Sequence, residues 1–513
     1  TTRTMKSTSR PKSGSSLREV FPRKVLLEAK RLGTTVQPRE IANRSDCRRH
    51  PVITIDPASA RDFDDAFSLR RTPRGPWELR IHIADVSHYV KPGSSLDREA
   101  RLRGNSTYLP DRVIPMLPES LSNNLCSLLP GVERLTKCVE FLLTDDGQIL
   151  RTRFSSAVIR SRHRFTYEDA MRVIESKASN SLERMIQDAD HLAQKLRARR
   201  LRAGSLEFSS TETCLRLDRR GRVIDIEQVQ HDQSHQLIEE FMLLANEAVA
   251  TRLLQLRKPG IHRVHEHPDP VRLQEFRAQV RFHRIPCGNL GKPREVQKLL
   301  DRLEKSSIGP ALRIGFLRTL PRARYATRSL GHYGLAKENY AHFTSPIRRY
   351  ADLLVHRALF QKRGPDPRDL RRVAEHLSAT ERASSEAERD SKRSKLCAYL
   401  RNQLRQGKAK TCTALVTEVV PYGFFVDIEE LGMGGLVPRN LLKDDRYDFD
   451  STRRQIRGRR SRRLIRVGDR VQVKVARVDS ARQRIDFALA APPARAQRRK
   501  PPIPIRHSAG NAS

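Results

Sequence analysis

Alternation of apolar and polar positions marks the first part of the chain. PVITID (Pro51 to Asp56) reads as a strand, and WELRIHIADVSHYV (Trp77 to Val90) carries the alternation of another. Helical spacing is interleaved with it. Val20 to Leu32 predicts a short helix closed by Gly33, Thr166–Ser176 and Ser181–Leu201 predict two basic amphipathic helices, and Ser234–Leu256 a strongly apolar one. After Pro367 a long charged segment sets Leu370, Val373, Ala374 and Leu377 along one face. The two periods mix without a regular βαβ repeat. Residues 51–406 are therefore expected to form an α+β domain, a mixed sheet with surrounding helices, preceded by a linker and helix over 18–50.

The pattern changes near Gly407. Between 407 and 490, CTALVTEVV, YGFFVDI, GGLVP, DRVQVKVARVD and RIDFALA supply the strands of a five-stranded β-barrel of the OB-fold type. Alternation puts Phe424 and Phe425 on opposite faces, so at most one of them, beside Tyr422, is expected to meet a base. DDRYDFD and the Arg-rich TRRQIRGRRSRRLIR interrupt the barrel; the second is either a phosphate-attracting element or a loop with no defined contact. Residues 1–17 and 491–513, rich in Ser/Thr/Arg and in Pro/Arg, have no periodicity and are expected to be disordered tails.

Composition narrows the partner. With 99 Lys+Arg against 59 Asp+Glu, the net charge of +40 favours a polyphosphate partner, and nucleic acid above all, over a merely soluble basic surface. No apolar run approaches the roughly 18–20 residues of a membrane span, so no membrane partner is expected. The N-terminus lacks the apolar centre of a secretory signal, which favours the cytoplasm, but its Arg- and Ser-rich character leaves organellar import open. Seven scattered cysteines without a C-x-x-C pair fit a reducing compartment.

Against that charge, Asp56-Pro-Ala-Ser-Ala-Arg-Asp62-Phe-Asp64-Asp65 places four carboxylates directly after a strand. Carboxylates so close repel one another, and a divalent cation relieves the conflict. In a phosphate-attracting protein this points to metal-assisted phosphodiester cleavage. On composition alone, a solvated acidic turn or a set of partners for nearby arginines stays equally open.

ITIDPASARDFDDAFSL resembles the opening of the catalytic domain of the ribonuclease II/ribonuclease R (RNB) exoribonuclease family. HIADVSHYVKPGSSLDREARLRGNSTYLP, VIPMLPESLSNNLCSLLPGVERL, LIEEFMLLANEAVA and YAHFTSPIRRYADLLVHR follow in the family's order, and the C-terminal barrel resembles an S1 RNA-binding domain. The resemblance covers about Phe21 to Leu489. It implies a hydrolytic, Mg²⁺-dependent exoribonuclease that degrades single-stranded RNA processively from the 3′ end to nucleoside 5′-monophosphates, with one or two ions. It further implies Asp56 and Asp65 as direct ligands, Asp62 as support for the same metal site, and Asp64 as the carboxylate most critical for the chemical step.

The same resemblance assigns the RNA path. Arg348, with Arg349 beside it in TSPIRRY, would hold the scissile phosphate; read alone, the pair is ordinary surface charge. Tyr108 would pack on the 3′-terminal nucleotide and Phe208, less securely aligned, would clamp the stack from the other side. Tyr167 and Glu388 would contact the same end, against the plainer alternatives of a core tyrosine and a helix-surface glutamate. A monomer is expected. His265 and His267 lack the spacing of a helical metal pair, and Cys126 and Cys138 are expected to be buried thiols. Family members usually carry two cold-shock domains ahead of the catalytic domain. Only about 50 residues precede the acidic motif here, so a fragment, or a natural form without them, is expected. A non-catalytic S1-type RNA-binding factor is the alternative, and the four intact aspartates argue against it.

Overall fold

The alternating segments at the start of the chain build a mixed seven-stranded sheet in the computed structural model, which describes residues 17–490 other than 74, 208–210, 307, 363 and 452. The expected tails, apart from residue 17, and Phe208 lie outside the described residues. The strands are β1 (Ser45–Asp46), β2 (Ile53–Asp56), β3 (Asp65–Arg71) and β4 (Trp77–Ala84), then, beyond the small hairpin β5 (Thr107–Leu109) and β6 (Arg112–Ile114), β7 (Glu133–Leu143), β8 (Ile149–Arg160) and β9 (His163–Thr166). The sheet order is β1-β8-β7-β4-β3-β2-β9, with parallel pairs only at its two ends, β1 on β8 and β2 on β9.

The sheet sits between two helical layers. Phe67, Leu79, Ile81 and Phe141 pack on one face against the helices Ser181–Ala203 and Gln233–Gln255, with Phe67 meeting Phe241 edge-on at 5.3 Å. Ala66, Ala84, Cys138 and Ala157 pack with Ile347, Tyr350 and Leu353, the last two on the helix Tyr350–Phe360. Small residues on this second face let that helix lie close. One predicted element is shorter than its alternation suggests. The strand from Trp77 ends at Ala84, because the Asp85 carboxylate accepts from the His88 N–H and caps a short helix, Val86–Tyr89. Two further two-stranded antiparallel sheets, the hairpin β10 (Thr211–Leu217) with β11 (Val223–Gln230) and the pair β12 (His262–Val264) with β13 (Arg324–Ala326), complete the described strands of this part.

The described residues divide into two compact units, one reaching Tyr399 and taking in Glu430–Gly432, the other comprising Leu400–Glu429 and the described residues from Met433 on. In the second, β14 (Thr411–Val420), β15 (Gly423–Ile428), β16 (Met433–Pro438), β20 (Arg470–Asp479) and β21 (Arg484–Leu489) close a barrel in the order β14-β15-β16-β21-β20. Phe424 is fully buried inside it, while Phe425 is half-buried and meets the exposed Tyr422 edge-on. The segment between β16 and β20 is not a loop without defined contacts. It forms a separate sheet of β17 (Tyr447–Asp450), β18 (Gln455–Gly458) and β19 (Leu464–Arg466). No helix among the described residues is long and apolar enough to cross a membrane.

Candidate active site

Asp56 is the last residue of β2 and Asp65 the first of β3; Asp62 and Asp64 lie in the loop joining them. The two strands run antiparallel, with Ile53 opposite Phe67, so the loop's ends are fixed by buried residues of the sheet. Asp56 and Asp64 are buried, at 9% and 4% exposure. The Asp64 Oδ1 accepts the Ile347 backbone N–H at 2.9 Å, whereas its Oδ2 and the Oδ2 of Asp56 are buried without a hydrogen-bond partner.

Burial pushes the Asp56, Asp64 and Asp65 carboxyls up, and the charge of Asp65 pushes Asp56 up further. Arg348 pulls Asp64 and Asp65 back down without offsetting the burial. Orphaned carboxylate oxygens crowded in a low-dielectric setting are the donors a hard divalent cation prefers. Among the described residues no three His, Cys, Asp or Glu side chains stand as a ready ligand array. The fit to a cation therefore rests on donor chemistry and on the unmet lone pairs.

The two arginines of TSPIRRY diverge. Arg348 donates through Nη2 to Ser345 Oγ at 2.9 Å, places its Nε 3.8 Å from Asp64 Oδ2, and keeps 42% of its side chain exposed. Arg349 turns inward and donates to Asp352 Oδ1 at 2.8 Å, a carboxylate that is fully buried. The same Asp352 oxygen accepts the Ser345 N–H, so Arg349 and Asp352 brace the loop on which Arg348 is displayed.

That loop is stitched to the hairpin carrying Tyr108. The Ser106 N–H donates to the Arg348 carbonyl and the Tyr350 N–H to the Gly104 carbonyl, both at 2.9 Å. Gly104, at φ +75°, permits the close approach, since a Cβ there would lie 2.1 Å from Thr380 Oγ1 on the helix Pro367–Arg405. The same helix holds the hairpin through Ser384, which bonds Thr107 Oγ1 at 2.6 Å, and through Glu388, which accepts the Tyr108 N–H at 2.7 Å. The Tyr108 hydroxyl donates to Asp62 Oδ2 at 3.3 Å, and the residue is 41% exposed. The structure thus brings Asp62, Tyr108 and Glu388 into one connected set.

Tyr167 opens the helix Tyr167–Glu175 directly after β9, where Thr166 pairs with Asp56. Burial raises its hydroxyl pKa, and the charges of Asp65 and Asp56 raise it further. One face of its ring is stacked on His235, with centroids 3.8 Å apart and planes 14° from parallel. His235 is held in turn by Asp232, which caps the helix Gln233–Gln255 and bonds His235 Nδ1 at 2.8 Å. Sequence reading missed Asp232, His235 and Asp352. The first two could have been found, because HDQSH places a capping aspartate three residues before a histidine at the start of an apolar helix.

An α+β domain with this carboxylate loop, followed by an OB-type barrel, defines a class. Residues 44–362 match the RNB domain and residues 405–490 the S1 RNA binding domain. The chain belongs to the RNB exoribonuclease family and carries a C-terminal S1 domain. It is 39% identical over 487 residues to ribonuclease R of Thermotoga maritima, covering 91% of this chain and 68% of that protein. It is 35% identical over 494 residues to ribonuclease R of Escherichia coli, covering 92% of this chain and 60% of the relative. Mycoplasma genitalium RNase R in complex with ribose methylated single-stranded RNA superimposes with a TM-score of 0.83 at 29% identity, over 92% of this chain and 76% of that one. The fold is shared also by yeast Ssd1, a pseudonuclease, at 23% identity and a TM-score of 0.68, over 82% of this chain and 53% of that one. Fold alone therefore does not decide activity, and the side chains of the site must.

Proposed function

We propose that this chain is a Mg²⁺-dependent hydrolytic exoribonuclease that shortens single-stranded RNA from its 3′ end and releases nucleoside 5′-monophosphates. The observation that carries the reading is the two unmet carboxylate oxygens on Asp56 and Asp64, the second of which faces the partly exposed guanidinium of Arg348. Asp56 and Asp65, with Asp62 and Asp64 beside them, would hold the metal. When bound, such an ion polarises a phosphoryl oxygen and acidifies a water. Arg348 offsets the charge that develops on the scissile phosphate, and Ser345 keeps its fork in place.

Asp64 holds its position through the Ile347 N–H while leaving its second oxygen free for the reacting centre. Tyr108 offers a partly exposed ring to the terminal base, and Glu388 fixes its backbone. Tyr167, half-buried and held by its stack on His235, would contact the same end of the strand. Addition of water at phosphorus breaks the bond to the preceding 3′ oxygen. The hydroxyl joins the released nucleotide as its 5′-phosphate, and the proton ends on the shortened strand's new 3′-OH. Support for RNA as substrate comes from the S1 match and from the RNA-bound Mycoplasma relative. Electrophoresis of RNA incubated with Mg²⁺, and chromatography of the products, test the reading. Nucleoside 5′-monophosphates are expected, and internal cuts or intact RNA would overturn it.

A further inference from the structure

The three-stranded sheet inserted between β16 and β20 has one apolar face and one charged face. Pairing of Phe449 with Ile456 and of Ile456 with Ile465 lines up the first, and Ile456 and Ile465 are fully buried. β18 and β19 lie next to β14 of the barrel. The alternate positions Arg457 and Arg466 point the other way and are exposed.

Residues 443–466 hold ten Lys+Arg and four Asp. Every one of the four aspartates is engaged within the sheet. Asp444 accepts from the Tyr447 hydroxyl at 2.8 Å and pairs with Arg463; Asp448 pairs with Arg459 at 2.9 Å. Asp445 caps the β18–β19 turn, accepting the Arg460 and Ser461 N–H groups and the Ser461 hydroxyl at 2.7–2.9 Å. Asp450 accepts the Arg453 N–H and the Gln455 amide. Among the described residues this leaves Arg446, Arg453, Arg454, Arg457, Arg460, Arg462 and Arg466 exposed, with no carboxylate within ion-pair distance.

Two of these, Arg454 at φ 45° and Arg462 at φ 56°, occupy the left-handed region, where glycine would sit without strain. The acidic side chains hold the turn and the strands, and the arginines are held outward as a set. A guanidinium array with no internal partner and no aromatic among its members is suited to a phosphate chain rather than to bases.

We infer that the β17–β19 sheet is a phosphate-binding platform for the RNA backbone, separate from the aromatic pair of exposed Tyr422 and half-buried Phe425 on the barrel. The inference rests on RNA being the ligand of this chain. Its test is binding of a labelled single-stranded RNA in EDTA, where hydrolysis plays no part, across a salt series. Exchanging Arg457, Arg460, Arg462 and Arg466 together for Gln should make the slope of log K against log salt shallower by about three, since each phosphate contact on a single strand contributes roughly 0.7. Exchange of the same four for Lys should retain most of the slope, and Arg466→Gln alone should lower it by about 0.7. A Gln variant that melts like the parent and keeps its slope overturns the platform, and would leave the patch to an acidic protein surface. If the quadruple variant does not fold, an unchanged slope in Arg466→Gln overturns it equally. Failure of the unaltered chain to bind RNA at all would instead remove the proposed function.

Discussion

Arg348 Nε stands 3.8 Å from Asp64 Oδ2, while the N–H of the preceding residue, Ile347, holds Asp64 Oδ1 at 2.9 Å. One backbone step thus links the group that anchors the carboxylate to the cation that faces it. Any movement of the TSPIRRY loop shifts both together, which is why Arg349 and Asp352 beneath it matter to the site without touching it.

Asp64→Asn keeps an acceptor for the Ile347 N–H and removes the charge. Single-turnover hydrolysis should fall by about 1,000-fold or more, as for other residues that act as a unit in the transition state. RNA affinity in EDTA and the melting temperature should stay near those of the parent. Retained hydrolysis would remove the role given to Asp64.

Arg348 and Arg349 should separate cleanly. Arg348→Gln loses the charge proposed to hold the phosphate and should lower kcat by about 10²–10³-fold with little effect on folding. Arg349→Gln strands the buried Asp352 and should cost about 3–5 kcal/mol of stability. Thermal denaturation beside single-turnover rates distinguishes them, and the reverse pattern would show that the assignments are exchanged.

The crowded carboxylates predict an unusual pH dependence of the metal-free protein. Burial and Asp65 push the Asp56 carboxyl up to about 8 in the folded state, against about 3.9 in an unfolded chain. The native form therefore binds the extra proton, and its advantage is full below about pH 4 and lost as pH rises through about 8. In EDTA, Asp56→Asn should be close to neutral at acid pH and stabilising near pH 8, and Mg²⁺ should raise the parent's melting temperature mainly at the higher pH. A parent that melts identically with and without Mg²⁺ near pH 8 would contradict this.

If Tyr108 stacks on the terminal base as proposed, Tyr108→Ala removes a platform worth about 1–3 kcal/mol per base. Its effect should appear as weaker binding of short RNAs and a longer final product, with long substrates less affected. His235→Ala should act in the same direction through Tyr167, since it removes the ring packed on Tyr167 that holds it in place. Gel analysis of the limit products checks both.

What was legible in the sequence was what repeats or clusters. The helix expected over Ser234–Leu256 lies at Gln233–Gln255, because its apolar residues recur at helical spacing and Asp232 caps it. The barrel strands were readable from alternation and turn residues. The four aspartates stood out because their charge opposes the rest of the chain. The stitching between Gly104–Ser106 and Arg348–Tyr350 was not readable, since main-chain hydrogen bonds between distant segments leave no pattern in either. Nor was the inward turn of Arg349, which depends on a buried carboxylate three residues away that looks like ordinary helix charge. The sheet β17–β19 was hidden for a third reason: its Arg-rich turns mask the short apolar alternation of Phe449, Ile456 and Ile465.

The most direct test of the central claim is a time course on a 5′-labelled single-stranded RNA a few tens of nucleotides long, with Mg²⁺ and with EDTA. A ladder that shortens from the 3′ end to a small limit product, only when Mg²⁺ is present, is the predicted result. RNA that is bound but left intact under both conditions would contradict it.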